Sequence, residues 1–258
     1  SDPGPFVASK GAGCGTVILI AVVIIILLII LSDCSGGSSG GSGAAVVSLL
    51  RKVGARRRAL GAITELVHHP DNRVLKVAVK LQDRWPGHDA GQFAFVTFDP
   101  DEGAHPFTIS SAWQGDGRMF FLIKGIGDYT GQLPGTLRVG QPVTVEGPYG
   151  RFGFAGDKNR QIWVAGGIGI TPFIAWLEKL AERGEQRPQT RLIYCVARHE
   201  DLLFAERLRQ LTQACGIQLQ LLERDRDPRL EFGQLFQDSR SRCWFCGPLR
   251  MRQALARY

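Results

Sequence analysis

Cysteine is scarce in this chain of 258 residues, and the six that occur are widely scattered. They are too few and too far apart for a disulfide scaffold. Cys195, Cys243 and Cys246 lie in apolar runs typical of strands, which favours reduced thiols. Cys243 and Cys246 form a single C-x-x-C, but residues three apart on a strand point to opposite faces, and no second pair completes a zinc site. We therefore expect no metal.

Sequence patterns of helix-turn-helix, zinc-finger and RNA-recognition modules are also lacking, which argues against nucleic-acid binding. The net charge is nevertheless +7, with a pI near 9.3. Part of this excess lies in one cluster, Arg51, Lys52 and residues 56–58, which contains no acidic residue. A basic cluster that follows a hydrophobic span is typical of contact with the cytoplasmic membrane surface.

That span has almost no polar residues: residues 16–31 are Val, Ile, Leu and Ala after the initial Thr16. With residues 12–15 it reaches the roughly 20 residues that a membrane-spanning helix needs. A signal peptide is the alternative, but the run is long and lacks a clear cleavage site. The positive-inside rule predicts a single-pass anchor over residues 12–31 with the C-terminal part in the cytoplasm.

The predicted anchor contains no His, Cys, Met or Tyr after Cys14, so it cannot supply paired axial ligands to a haem. Residues 35–43 are only Gly and Ser, which predicts a flexible linker. Such a run is typical of an engineered joint as well as of a natural linker, and both interpretations stay open.

The rest of the chain has two distinct patterns. Residues 44–156 alternate in short segments and predict a six-stranded antiparallel barrel with one short helix near 129–137. The predicted strands are 60–68, 73–81, 92–98, 107–111, 119–124 and 142–147. Residues 157–258 alternate strand and helix, which predicts a Rossmann-like parallel sheet with helices on both faces. Its predicted strands are 161–165, 191–197, 217–223 and 243–246, with helices at 171–183 and 202–215, between the last two strands, and after Pro248.

Five short motifs follow one another over these two regions. In order they are HPFTISS at 105–111, KGIGDYT at 124–130, GPYG at 147–150, GGIGITP at 166–172 and CGP at 246–248. Taken singly, each has a structural interpretation: an edge strand, a solvated lysine before a turn, a tight turn, close strand–helix packing and a small buried residue. The fourth is the most informative, because it follows a predicted strand and opens a helix whose N-terminus attracts an anion.

The order and spacing of all five resemble the ferredoxin–NADP reductase superfamily over roughly residues 51–258. The His-Pro-Phe-Thr sequence is similar to the cytoplasmic FAD/NADPH dehydrogenase domain of ferric reductases and NADPH oxidases. The resemblance implies an FAD-binding barrel at 44–156, followed by an NAD(P)H-binding domain at 157–258.

Site residues follow from the same resemblance. The flavin ring is implied at His105, Pro106, Phe107 and Thr108, with Ser110 as the next hydroxyl on the same face, and Gly147 is implied beside it. The FAD pyrophosphate is implied at Lys124, Gly127 and Thr130. NAD(P)H is implied at Gly167, Gly169, Thr171, Pro172, Arg198, Cys246, Gly247 and Pro248. Thr108 at the flavin and Cys246 near the nicotinamide are the implied catalytic residues.

The chain departs from the family pattern at several positions. Many relatives have Arg where this chain has His105 or Lys124. Compared with arginine, His105 carries a weaker charge and Lys124 a more compact one. Arg198 favours NADPH, but the nearby Glu200 and Asp201 favour NADH, so both donors remain open. Only ten residues follow Pro248, whereas the family continues to a terminal aromatic residue, and Tyr258 falls on the last predicted helix. We therefore expect either a C-terminally truncated domain or an unusually open nicotinamide pocket.

The implied function is an NAD(P)H:FAD oxidoreductase that passes electrons from NADPH through FAD to a membrane haem, a ferric chelate or dioxygen. Haem is expected only in a partner or in a membrane domain that this sequence lacks. One alternative is the reductase component of a soluble oxygenase, although no clustered cysteines predict an accompanying iron–sulfur domain. The other is a flavin- and nucleotide-binding module without catalysis.

Overall fold

The computed structural model describes residues 57–154, 160–198, 202–223 and 241–255. The predicted membrane helix, the Gly/Ser linker and the helix predicted between residues 223 and 243 lie outside these ranges. Among the described residues, no helix combines the length and the apolar character needed to span a membrane.

Six antiparallel strands form the first sheet, as the alternating pattern predicts. They are β1 Arg58–His69, β2 Val74–Leu81, β3 Phe93–Thr97, β4 His105–Thr108, β5 Arg118–Lys124 and β6 Pro142–Tyr149. Their spatial order is β4-β3-β6-β1-β2-β5. Alternate residues point inward, as in β5, where Met119, Phe121 and Ile123 are buried and their neighbours are not. Helix α1, Asp128–Thr136, follows β5 and buries Leu133 against this core.

The two outer strands of this sheet meet and close it into a barrel. β4 pairs with β3 only as far as Thr108, and Ile109 then forms an antiparallel bridge with Phe121 of β5. The Ser110 N–H donates to the Phe120 carbonyl at 2.9 Å. The strand predicted to run to Ser111 therefore ends at Thr108, because the chain changes partner there. This one bridge beyond β4 is the point at which the outer strands β4 and β5 are joined.

Four parallel strands form the second sheet, in the order β10-β7-β8-β9. They are β7 Gln161–Gly166, β8 Thr190–Val196, β9 Gln218–Glu223 and β10 Arg242–Cys246, with helices α2 Thr171–Glu182, α3 Ala205–Ala214 and α4 Leu249–Leu255. One face packs Trp163 and Leu192 under α2 and α3, and the other packs Val164 and Ile193 under α4. Helices thus cover both faces, as predicted.

The strand that carries the cysteine pair differs from its prediction. β10 lies at an edge of the sheet that the described residues form, and Cys243 is exposed. Residues 243–246 do form the predicted strand, but Cys243 is exposed and residues 244–246 are only half-buried. Apolar composition alone could not separate a central strand from an edge strand whose inner residues pack on only one neighbour.

Candidate cofactor sites

Strand β4 presents all four residues of the His-Pro-Phe-Thr sequence in half-buried positions. Its register places Phe107 opposite Ala94 and Thr108 opposite Phe93. Phe107 packs against Phe98 and Phe121 of the barrel core, with ring centroids 6.0 and 6.4 Å apart. Phe107 is therefore held from the barrel side and keeps part of its surface accessible to a flat ligand.

His105 stacks on a residue that the sequence did not single out, Tyr129 in the first turn of α1. Their ring centroids are 3.8 Å apart and the rings are 14° from parallel. His105 Nε2 and the Tyr129 hydroxyl are both buried without a hydrogen-bond partner. Because buried polar atoms without partners are rare and costly, these two atoms on stacked rings mark a candidate place for a polar ligand.

The protonation of this pair follows from its surroundings. Burial lowers the pKa of His105 below its ordinary value, against a hydrogen bond to the Glu102 backbone and the charge of Glu102. Burial also raises the pKa of Tyr129 to about 12, with the carboxylates of Glu102 and Asp99 adding to the rise. At neutral pH the His105 ring is thus uncharged and the Tyr129 hydroxyl is a donor.

The turn at residues 124–130 joins β5 to α1, which begins at Asp128, one residue before the predicted start. The Thr130 hydroxyl accepts hydrogen bonds from the N–H groups of Ile126 and Gly127, at 3.1 and 3.2 Å. Its oxygen is therefore occupied in holding the turn, and the implied contribution of Thr130 to the FAD pyrophosphate site stays a prediction. The first-turn N–H groups of α1 are the anion donors that the turn offers.

Gly127 lies at the start of this helix, and a Cβ atom there would meet no protein atom within 4 Å. The protein itself does not require glycine at this position. Open space beside the N–H groups of a helix start is what a pyrophosphate needs in order to approach the backbone. Lys124, half-buried at the end of β5, precedes the turn and supplies a nearby positive charge.

Ser110 is not available to a flavin, contrary to the prediction. Its side chain is fully buried. The hydroxyl donates to the Thr108 carbonyl and accepts from the Leu122 N–H, both at 3.2 Å. Ser110 therefore closes the barrel between β4 and β5 instead of binding a ligand.

Gly147 and Pro148 border a cavity of about 990 Å³ at the end of the barrel where β6 finishes. His88 and Trp113 also line it. His88 Nε2 lies 3.1 Å from the Ser111 carbonyl and must carry the proton, since a carbonyl only accepts. This contact joins the β2–β3 connection to the segment that follows β4.

The glycines of the fourth motif have different roles, which the sequence could not separate. A Cβ atom on Gly169 would lie 2.3 Å from the Cys246 carbonyl oxygen, and one on Gly166 would lie 2.7 Å from Pro248 Cδ. These two glycines are required by close packing against the 246–248 loop. Gly167, at φ +55°, faces open space, so it is the glycine whose surroundings could admit a pyrophosphate.

The predicted nucleotide residues converge at the carboxyl edge of the parallel sheet. β7 ends at Gly166 and β10 at Cys246, and Gly247 packs directly on Gly166. Arg198 is exposed two residues beyond the end of β8, the next strand. Thr171 and Pro172 are buried in the first turn of α2, so they offer backbone rather than side chain to a ligand. Open α/β sheets bind nucleotides at this edge.

The residues of both regions fit the cofactors that the sequence implied. The barrel provides an aromatic face, two unpartnered polar atoms and a helix start with open space before it. The parallel sheet provides a glycine loop that enters a helix beside a second, closely packed loop. Neither set of residues resembles a metal centre, and the described residues contain no group of three or more potential metal ligands.

Two family models match consecutive parts of the chain. A family model described as an FAD-binding domain matches residues 62–152, and one described as an oxidoreductase NAD-binding domain matches residues 163–257. The electron transfer component of toluate 1,2-dioxygenase from Pseudomonas putida is 34% identical over 120 residues, which cover 46% of this chain and 35% of that protein. This chain therefore spans well under two thirds of that relative.

Solved structures share the fold at low sequence identity. The FAD/NAD-binding domain of nitric oxide dioxygenase from Vibrio cholerae aligns with a TM-score of 0.67 at 17% identity, over 77% of this chain and 91% of that one. A ferredoxin NADP⁺ reductase from Neisseria gonorrhoeae, solved with bound FAD and NADP, aligns with a TM-score of 0.60 at 19% identity, over 78% and 89%. The chain belongs to the ferredoxin–NADP reductase superfamily, as an FAD-binding domain followed by an NAD(P)H-binding domain.

Proposed function

We propose that this FAD-dependent NAD(P)H oxidoreductase delivers its electrons to a membrane haem, a ferric chelate or dioxygen, in the manner of ferric reductases and NADPH oxidases. The observation that carries the proposal is the His-Pro-Phe-Thr sequence, which lies on β4 with His105 stacked on Tyr129. This sequence, with a histidine where many relatives have arginine, is similar to the corresponding sequence of those enzymes.

Each region has a defined task in the proposed reaction. When bound, FAD accepts a hydride from NAD(P)H and releases electrons to an acceptor. Phe107 and Thr108 orient the flavin, and the α1 N-terminus with Lys124 holds its phosphates. Gly167 and the start of α2 hold the phosphates of the nicotinamide nucleotide. Cys246, at the end of β10, would stand beside the nicotinamide and limit the space there.

Membrane attachment forms part of the proposal. The apolar run at residues 12–31 and the basic cluster at 51–58 support a single-pass anchor with both domains on the cytoplasmic side. Flotation of the full chain with anionic lipid vesicles tests this. Association that survives high salt supports a spanning anchor, whereas its loss with salt indicates surface contact alone.

Anaerobic titration of the FAD-loaded protein with NADPH, and separately with NADH, tests the dehydrogenase step. Stoichiometric loss of the oxidised-flavin absorption band is expected, and Arg198→Ala should weaken the response to NADPH more than to NADH. Retained but unreduced flavin would indicate a binding module without catalysis. Adding ferric citrate or air to the reduced protein then identifies the acceptor by the rate at which the band returns.

A second function has its own support. The Pseudomonas putida relative is by its name an electron transfer component of a dioxygenase. We therefore also propose a role as reductase component for an oxygenase. Slow reoxidation by ferric citrate and air, combined with rapid reoxidation by an added iron–sulfur protein, would favour this second function.

A further inference from the structure

We propose that Glu178 is a positioning residue that fixes the nicotinamide-binding sheet relative to the flavin-binding barrel for hydride transfer. The inference rests on the reductase function above. It concerns a side chain that belongs to none of the five motifs and contacts neither predicted cofactor region directly.

The two carboxylate oxygens of Glu178 have partners in different parts of the molecule. Oε2 accepts a hydrogen bond from the Ala112 N–H of the barrel, at 3.4 Å. Oε1 accepts from Arg207 Nη2 of α3, at 3.3 Å. Its side chain is only 15% exposed. One carboxylate thus joins the barrel to the helical layer over the parallel sheet.

The location of these partners explains why the link matters for the reaction. Glu178 lies on α2, whose first residue, Thr171, directly follows the glycine loop, so about 10 Å of rigid helix separates them. Ala112 lies four residues beyond Thr108, where β4 ends. A shift of α2 along its axis would therefore be transmitted to the nucleotide loop at one end and resisted at the flavin strand by Glu178.

Other polar contacts also join the barrel to α2, but their side chains are more exposed to solvent. Lys179 pairs with Asp89 at 2.9 Å, and Gln114 donates to Glu182 at 2.7 Å. The Asp89 side chain is 78% exposed, so this ion pair contributes little to holding the barrel against α2. Phe152 also reaches across and packs edge-on against Phe173. Apolar packing holds the two parts together, whereas Glu178 restricts how they can slide.

Burial gives Glu178 this restraining effect. Burial raises the pKa of the Glu178 carboxyl, while the hydrogen bonds from Arg207 and Ala112 and the charge of Arg207 oppose the rise. Moving the barrel away removes one of the few donors that compensate a desolvated carboxylate. A partly desolvated charge that loses a partner is destabilised, so displaced arrangements are disfavoured.

The test compares Glu178→Gln and Glu178→Ala with Glu206→Gln as the control. Glutamine keeps the shape, but its NH₂ group replaces one carboxylate oxygen and would face one of the two donors, Ala112 N–H or Arg207. Glu206 lies on α3, and its partners among the described residues are Arg209 and Gln210 of the same helix. For each protein, FAD affinity is measured by fluorescence and the flavin reduction rate by anaerobic stopped flow at saturating NADPH.

We expect Glu178→Ala to lower the limiting reduction rate by about 10- to 100-fold, since small misplacements of reacting groups carry costs of this size. By the same argument, Glu178→Gln should lower the limiting reduction rate by about 3- to 10-fold. The FAD affinity of both variants should stay within about 3-fold of wild type. The long-wavelength absorption of the nicotinamide–flavin pair should weaken in parallel. Glu206→Gln should match wild type.

Equal limiting rates for wild type and Glu178→Gln would overturn the inference while leaving the reductase function intact. A rate loss that only follows loss of bound FAD would also overturn it, because that outcome is structural. If Glu178→Ala does not fold, Glu178→Gln alone decides. Failure of NADPH to reduce the wild-type flavin would overturn the proposed function, and this inference with it.

Discussion

At the scale of single residues, a substitution at Gly127 should weaken FAD binding while leaving the fold nearly unchanged. A Cβ atom there meets no protein atom, so Gly127→Ala should fold with a loss of no more than about 1 kcal/mol from the poorer helix cap. The methyl group would occupy the approach to the α1 N–H groups, and we expect FAD affinity to fall by about 10-fold or more. Isothermal titration with FAD measures it.

Gly135→Ala is the matched control, because Gly135 lies in the same helix with equally open surroundings. It should leave FAD affinity unchanged and stabilise the helix by up to about 1 kcal/mol. If both variants bind FAD as the wild type does, the phosphate site is not at this turn.

Substitution of the two glycines of the nucleotide loop should have different effects: a large loss of stability at Gly169, and a small loss of stability with weaker NADP⁺ binding at Gly167. Gly169→Ala would place its methyl group 2.3 Å from the Cys246 carbonyl, so we expect a loss of several kcal/mol in unfolding free energy. Gly167→Ala has open surroundings and only the left-handed backbone to oppose it, about 1–2 kcal/mol. Urea unfolding checks both values. NADP⁺ affinity should fall in Gly167→Ala, and retention of full affinity there would contradict its assignment to the pyrophosphate.

His105 predicts a pH dependence of FAD binding. Burial holds the His105 pKa below its ordinary 6.5, so the ring is neutral at pH 7.5 and gains a proton only in acid. If its unpartnered Nε2 faces the FAD phosphates, binding raises that pKa and takes up a proton. FAD affinity should then rise as the pH falls from about 7.5 towards 6. His105→Gln should lack this trend, and equal slopes in both proteins would exclude His105 from the site.

At the scale of secondary structure, the sequence predicts what depends on local pattern. Alternating apolar residues located all six barrel strands, because one face of each strand is buried. The end of β4 was placed three residues too late, since alternation continues through Ser110 while the strand's partner changes at Thr108. Partner exchange is a tertiary event that leaves no mark on the local pattern.

The same limit applies to the candidate sites. The glycine loop and the Cys-Gly-Pro sequence are brought together as predicted, because parallel strands end at a common edge. The sequence could not predict that Gly169 serves the packing of those two loops, since they lie more than seventy residues apart. Tyr129 was missed for a related reason: its stacking on His105 depends on how α1 docks on the barrel.

The junction of β4 and β5 yields a prediction about Ser110. In Ser110→Ala the Leu122 N–H loses its buried partner, so unfolding free energy should fall by about 1–3 kcal/mol. FAD affinity of the folded protein should be unchanged, because the hydroxyl is fully buried and bonded to backbone. Urea unfolding and FAD titration of the same sample separate the two effects. Weaker FAD binding at unchanged stability would restore Ser110 to the flavin site.

At the scale of the whole molecule, the barrel and the parallel sheet share apolar packing. Leu122 and Phe152 come from the barrel side of the chain, yet both pack against the core beneath α2. Continuous packing of this kind favours a single cooperative unfolding transition over two independent ones. The partly buried carboxylate of Glu178 adds a polar link between the same two parts.

This continuity predicts how FAD changes thermal unfolding. A ligand present at about 100 times its dissociation constant stabilises the state that binds it by about 2.7 kcal/mol. If both parts unfold together, FAD should move the entire calorimetric transition to higher temperature, including the part that reports the parallel sheet. Glu178→Ala keeps the shared apolar packing, so FAD should still move the entire transition in that variant. Two transitions in the wild type, one of them insensitive to FAD, would show that the shared packing does not couple the two parts and that their relative position is set by the bound nucleotides instead.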